Sequence, residues 1–123
     1  MTPLAFRKIA LAQEGASEGR HVGHPDFRAG GKIFASLGFP NEASGMVKLT
    51  PEQQEILVAA EPAIFAPFNG LWGQRGYTRV HLPAADARTM KSALAMACRN
   101  APAKSAPKSA PSKRGATRPK EKT

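Results

Sequence analysis

The sequence predicts an α+β domain of two layers, an antiparallel sheet with helices packed on one of its faces. Three observations lead there. Short segments of alternating apolar and polar residues recur with glycine-rich turns between them. Helical apolar stripes come before, between and after these segments, in the order α-β-β-β-α-β(-β)-α. About 100 residues precede a stretch rich in lysine, alanine, proline and serine, enough to bury one such core and not two.

The elements follow in order. Leu4, Ala5, Ile9, Leu11 and Ala12 mark one broad side of a first helix that stops before Gly15. Gly30-Gly31 is a tight turn joining strands over 25–29 and 32–38 into a hairpin. A loop from Pro40 to Ser44 leads into a third strand over 45–49. Thr50 is the N-cap of the next helix, Pro51 suits its first position, and Gln53 completes a capping box. Ile56, Leu57 and Ala60 form its apolar stripe, and Pro62 ends it. The segment over 63–76 carries Pro67, Gly70, Gly73 and Gly76 and reads as a loop with a short strand near Ile64–Phe68. Tyr77–Leu82 alternates as a strand, and Met90, Ala93, Leu94 and Ala97 line a last helix running to about Asn100.

A sheet covered on one side sends alternate residues outward. Phe27, Ile33, Ala35, Leu37, Val47, Leu49, Val80 and Leu82 are expected inside. Arg28, Lys32, Lys48 and Arg79 are then expected outside, with Phe34, Tyr77 and His81 among them and Arg75 extending the patch beside Trp72. Cations interleaved with flat rings suit a phosphate backbone and unstacked bases.

Charge is unevenly placed. Residues 101–123 hold seven Lys and Arg against Glu121 alone, a net +6 of the chain's +9. This stretch has four prolines, no aromatic residue and no apolar side chain larger than alanine and proline, so it is expected to be disordered. Division into a folded domain over 1–100 and a basic tail over 101–123 follows. Lys104, Lys108, Lys113, Arg114, Arg118 and Lys120 would make point-charge contacts to phosphate, which position without specifying sequence.

Other classes are set aside. Apolar runs are too short for a membrane-spanning helix, and the N-terminus lacks the pattern of a signal peptide. A single cysteine, Cys98, fits a reducing, cytoplasmic setting and sits where it would pack inertly. His21, His24 and Asp26 have a metal-ligand flavour, but an i, i+3 spacing on a strand would separate the two histidines onto opposite faces. Gly70, Gly73 and Gly76 lack the lysine and hydroxyl of a phosphate-cradling loop, and no serine stands in a nucleophile elbow. Neither an enzyme, a metal nor a cofactor is expected.

HPDFRAGGKIFASLG at 24–38, GMVKLTPEQQ at 45–54 and WGQRGYTRVHL at 72–82 together resemble the MmcQ/YjbR-like family of small bacterial proteins, across residues 4–99. His24, Pro25, Phe27, Arg28, Gly31, Lys32, Lys48, Trp72, Gly73 and Arg79 carry the likeness. The resemblance implies a secretion-chaperone-like fold and a DNA-binding label attached to a double-wing arrangement of hairpins, with no role transferable residue by residue. The resulting expectation is a cytoplasmic, nucleoid-associated protein that binds nucleic acid, duplex DNA foremost, with little sequence preference. Its contacts would be Arg28, Lys32, Lys48, Arg75, Arg79 and the six tail cations named above. The alternative is a protein-interaction or chaperone-like module with a solubilising tail.

Overall fold

Gly30 and Gly31 adopt φ of 59° and 79°, a conformation glycine reaches without steric cost. They close the hairpin between β2 (His24–Ala29) and β3 (Lys32–Leu37). In the computed structural model, which describes residues 1–21 and 23–105, this hairpin supplies the second and third strands of a larger sheet. β1 (Ala16–His21), β4 (Ser44–Lys48), β5 (Phe65–Pro67) and β6 (Tyr77–His81) complete it in the order β1-β2-β3-β4-β6-β5, every pairing antiparallel. Four α-helices accompany the strands: α1 (Pro3–Leu11), α2 (Pro51–Ala60), α3 (Gly70–Gln74) and α4 (Ala87–Ser105). The α+β sheet-and-helix layout is the one predicted, with two additions.

β1 is the first. Its sequence, ASEGRH, has no large apolar residue to alternate, so the strand is invisible to a hydrophobicity pattern. It lies at an edge, where charged residues discourage pairing with other chains. Glu18, opposite Phe27, accepts a 2.7 Å hydrogen bond from Arg7 of α1. The second addition, α3, is a single short helical turn inside the stretch expected to be loop.

α1 and α4 cover one face of the sheet. Phe6, Phe27, Phe34, Val47, Val80, Met90 and Leu94 meet there with no solvent exposure, and the Phe6 and Phe27 rings lie 6.1 Å apart. The last helix presents Met90, Ala93, Leu94 and Ala97 inward as expected. It runs on to Ser105, beyond Asn100, and Ala101 is still part of the core. At its start, Asp86 accepts from the Thr89 amide at 2.8 Å and from the Thr89 hydroxyl at 3.0 Å. Those bonds hold the Asp86 carboxyl below its ordinary range.

Two helix faces differ from the expected ones. In α1 the buried residues are Phe6 and Ala10, one turn apart, while Leu4 is exposed and Ala12 lies beyond the helix. The aromatic ring, the largest apolar surface on that helix, decides its rotation. In α2 the capping box of Thr50 and Gln53 forms as predicted. Ile56 and Ala60 nevertheless face solvent, and Gln54, Leu57 and Val58 turn inward. Gln54 sets that rotation, because its amide donates at 3.1 Å both to the Tyr77 carbonyl and to the Thr78 hydroxyl. A buried polar pair satisfied in this way outweighs one exposed isoleucine.

Among the described residues, no helix is long and apolar enough to cross a membrane.

Candidate functional site

The site begins with an irregularity. β2 and β3 pair Phe27 with Ala35 but Arg28 with Ile33, so Phe34 is an extra residue on β3. This bulge reverses the faces expected for the first half of the strand. Phe34 enters the core, Ile33 turns outward beside Arg28, and Lys32 shares the level and side of Ala29. The ladder between β3 and β4 begins only at Ala35–Val47, leaving Lys32–Phe34 unpaired with β4.

An open groove of about 730 Å³ lies at this split. Arg28, Gly31, Lys32 and Ile33 line one side; Lys48, Pro51, Arg75 and Tyr77 line the other; Asn100 and Ala101 of α4 complete it. The structure therefore gathers four of the predicted cations, Arg28, Lys32, Lys48 and Arg75, with no carboxylate among the lining residues.

Each cation is held differently. Arg28 forks onto Asp26, Nε to Oδ1 at 2.8 Å and a terminal nitrogen to Oδ2 at 3.1 Å. The hydrogen bond, and then the charge of Asp26, push the pKa of Arg28 up, so the guanidinium is a pre-oriented, permanently charged group. Asp26 itself is buried behind it. Lys48 donates to the Arg75 carbonyl at 2.9 Å and sits 5.1 Å from the centroid of its cross-strand partner Tyr77. Such a cation–π contact at an exposed position is worth roughly 0.5–1 kcal/mol. Arg75 caps the C-terminus of α3. Gly76, at φ 98°, is indispensable between Arg75 and Tyr77, because a Cβ there would run into the Leu49 carbonyl. Its own carbonyl accepts from the Leu49 amide. Lys32 is exposed at the hairpin turn.

The remaining predicted residues divide into two groups. Arg79 lies on the same outer face, paired with Met46 and Ala66, but does not line the groove. Its Nε is buried without a hydrogen-bond partner among the described residues. Lys104 falls in the last turn of the α4 backbone. Lys108, Lys113, Arg114, Arg118 and Lys120 lie outside the described residues, as does most of the stretch expected to be disordered. Pattern reading missed Ile33, Pro51 and Asn100 as parts of the site. Asn100 donates to Gln53 at 2.8 Å, and only the tertiary fold brings the end of α4 to the start of α2.

The outer face also carries rings, though not the expected set. Phe34 leaves it for the core. Phe39, from the loop after β3, comes within 6.5 Å of His24 and stacks at 6.2 Å on Phe68, which follows β5. Trp72 of α3 meets Tyr77 edge to face at 4.8 Å. Leu71, Trp72 and Phe39 are all more than half exposed.

The histidine argument needs correction as well. The β1–β2 register pairs His21 with His24 across the turn, so the two do not stand three apart along one strand. Asp26 is committed to Arg28. Cys98 is buried against α1's following turn, its Sγ 3.7 Å from the Glu14 carbonyl, and burial pushes its thiol pKa up.

Comparison with known proteins agrees with this architecture. The crystal structure of the Deinococcus radiodurans protein DR2400, a DUF419-domain protein, superposes with a TM-score of 0.72 at 19% identity. The match covers 87% of this chain and 83% of that one, and at such identity it speaks for the fold alone. No curated protein matches the sequence. The family model described as YjbR matches residues 11–98, well over half of the sequence. The chain belongs to the YjbR family.

Proposed function

We propose that this protein binds nucleic acid, duplex DNA among its ligands, largely without sequence preference, by phosphate contacts from the groove and from the basic C-terminal sequence. One observation supports this most. Four cations share a groove that no carboxylate lines, Arg28 among them being met by the Asp26 carboxylate behind it, and α4 residues Asn100 and Ala101 belong to its wall. Ser105, the last described residue of α4, stands only four residues beyond the groove, about 6 Å of helix rise, and the basic sequence continues from it. Groove and tail form one electropositive region in this reading, with a binding role and no catalytic step. Lys48 and Arg75 supply charge without a base-reading geometry, so register is set and sequence is not.

A salt series tests it. Each phosphate neutralised steepens log K against log salt by about 0.9 for duplex DNA. The full chain is expected to show a slope near −5 or steeper, and a chain ending at Ser105 about −2 to −3. Equal slopes for the two would remove the tail from the mechanism. The protein-interaction reading draws on the exposed Phe39, Leu71 and Trp72. It predicts a partner whose binding resists salt.

A further inference from the structure

The charge of the groove does not distinguish a duplex from a single strand, but the rings beside it do. Tyr77 lines the groove, with Lys48 over its ring and Trp72 against it. The Phe68 amide donates to the Tyr77 carbonyl at 3.1 Å, so the residue that carries the Phe39 stack is the backbone neighbour of Tyr77. Trp72 and Tyr77 thus form one ring pair at the cations, and Phe39 and Phe68 form a second pair joined to it through the backbone of Tyr77. Trp72 remains 60% exposed and Phe39 57%, unusual for side chains whose burial would stabilise the fold.

Paired bases turn their π-faces to one another inside the duplex and offer a protein only their edges and phosphates. Unpaired bases offer faces to any flat ring, and stacking tolerates every base. An electropositive groove bordered by exposed rings is therefore matched to an unpaired strand. Resting on the nucleic-acid reading above, we propose that the groove prefers single-stranded to duplex nucleic acid, with phosphates on Lys48 and Arg75 and bases stacked on Trp72 and Phe39. The tail would add phosphate affinity to either form.

The chain's single tryptophan makes the test direct. The full-length protein is titrated with a mixed-sequence DNA strand of about 16 nucleotides, the upper end of single-strand site sizes, and with its annealed duplex. The single strand is expected to quench Trp72 emission, whereas the duplex leaves it nearly unchanged. Trp72→Ala should lower single-strand affinity roughly tenfold while duplex affinity and both salt slopes hold within about twofold. Trp72→Phe should recover most of the loss. Equal loss on both ligands, no loss on either, or no quenching of the wild-type protein overturns the proposal. The quenching result decides alone if Trp72→Ala fails to fold. Unchanged affinities in Trp72→Ala, with both ligands still weakened by the Lys48→Ala, Arg75→Ala pair, refute the strand preference and spare the binding function. Failure of the full chain to bind either ligand ends both.

Discussion

On the helix-covered face of the sheet, Phe27, Phe34, Ala35, Val47 and Val80 are wholly excluded from solvent, and α4 lies across β2, β3 and β4. On the other face the same strands carry Arg28, Ile33, Lys48, Tyr77 and Arg79, with loop-borne Phe39 and Trp72 beside them. The first face is apolar and densely packed, so its side chains contribute by removing surface from water. The second exposes large rings and a cationic groove, an arrangement that adds little to stability and that the proposed function assigns to recognition. Stability and binding are therefore expected to be separable by substitutions a single residue apart.

Phe34 and Ile33 give the sharpest break. Phe34→Ala should cost about 3–5 kcal/mol, because it removes a fully buried ring. Ile33→Ala should cost less than about 1 kcal/mol in a denaturant melt. The reverse ranking would mean that the bulge is absent and that the unbroken alternation read from sequence is right.

Lys48→Ala with Arg75→Ala tests the outer face from the other side. Duplex affinity at low salt should fall roughly tenfold and the salt slope should shrink by about 2. The melt should shift by about 1 kcal/mol or less, since the cation–π contact and the hydrogen bond that Lys48 loses are at an exposed position. A large stability loss with unaltered binding would reassign both side chains to the fold.

Thr50→Ala should lower stability by about 1 kcal/mol by removing the N-cap acceptor of α2. The Gln53 side chain keeps both of its bonds, accepting from the backbone amide at position 50 and from Asn100. No change in the melt would show that the helix start is held by that second contact.

The smallest effect concerns pH. The Asp86 carboxyl is depressed by its bonds to Thr89, so its contribution to stability is present above the unfolded value near 3.8 and is lost as pH falls through the lower folded value. The difference in melting temperature between wild type and Asp86→Ala should narrow over that acidic window. A difference that persists unchanged below it would mean that the ionised carboxylate is not the cap.

The sequence by itself determined the elements with local signatures. Two glycines dictated the β2–β3 turn, the Thr50-Pro51-Gln53 run dictated the start of α2, and the spacing of Met90, Ala93, Leu94 and Ala97 dictated the inward face of α4. Lys48 and Arg79 were legible on the outer face as well, since strict alternation holds through β4 and β6, whereas Lys32 was not, because the bulge turns it to the side of Ala29. Other features had no local signature. β1 is a polar edge strand whose place is decided by hydrogen bonding to β2, and α2 is rotated by the bond between Gln54 and Thr78, 24 residues apart in sequence. The bulge at Phe34 shifts the side-chain period by one, and only the choice between burying a phenylalanine and burying an isoleucine settled it. That shift ends the β3–β4 ladder early, and α4 then brings Asn100 and Ala101 to the resulting groove. Which cations belong together was therefore a tertiary decision, because the groove exists only where strands, a helix start and a helix end from distant parts of the chain converge.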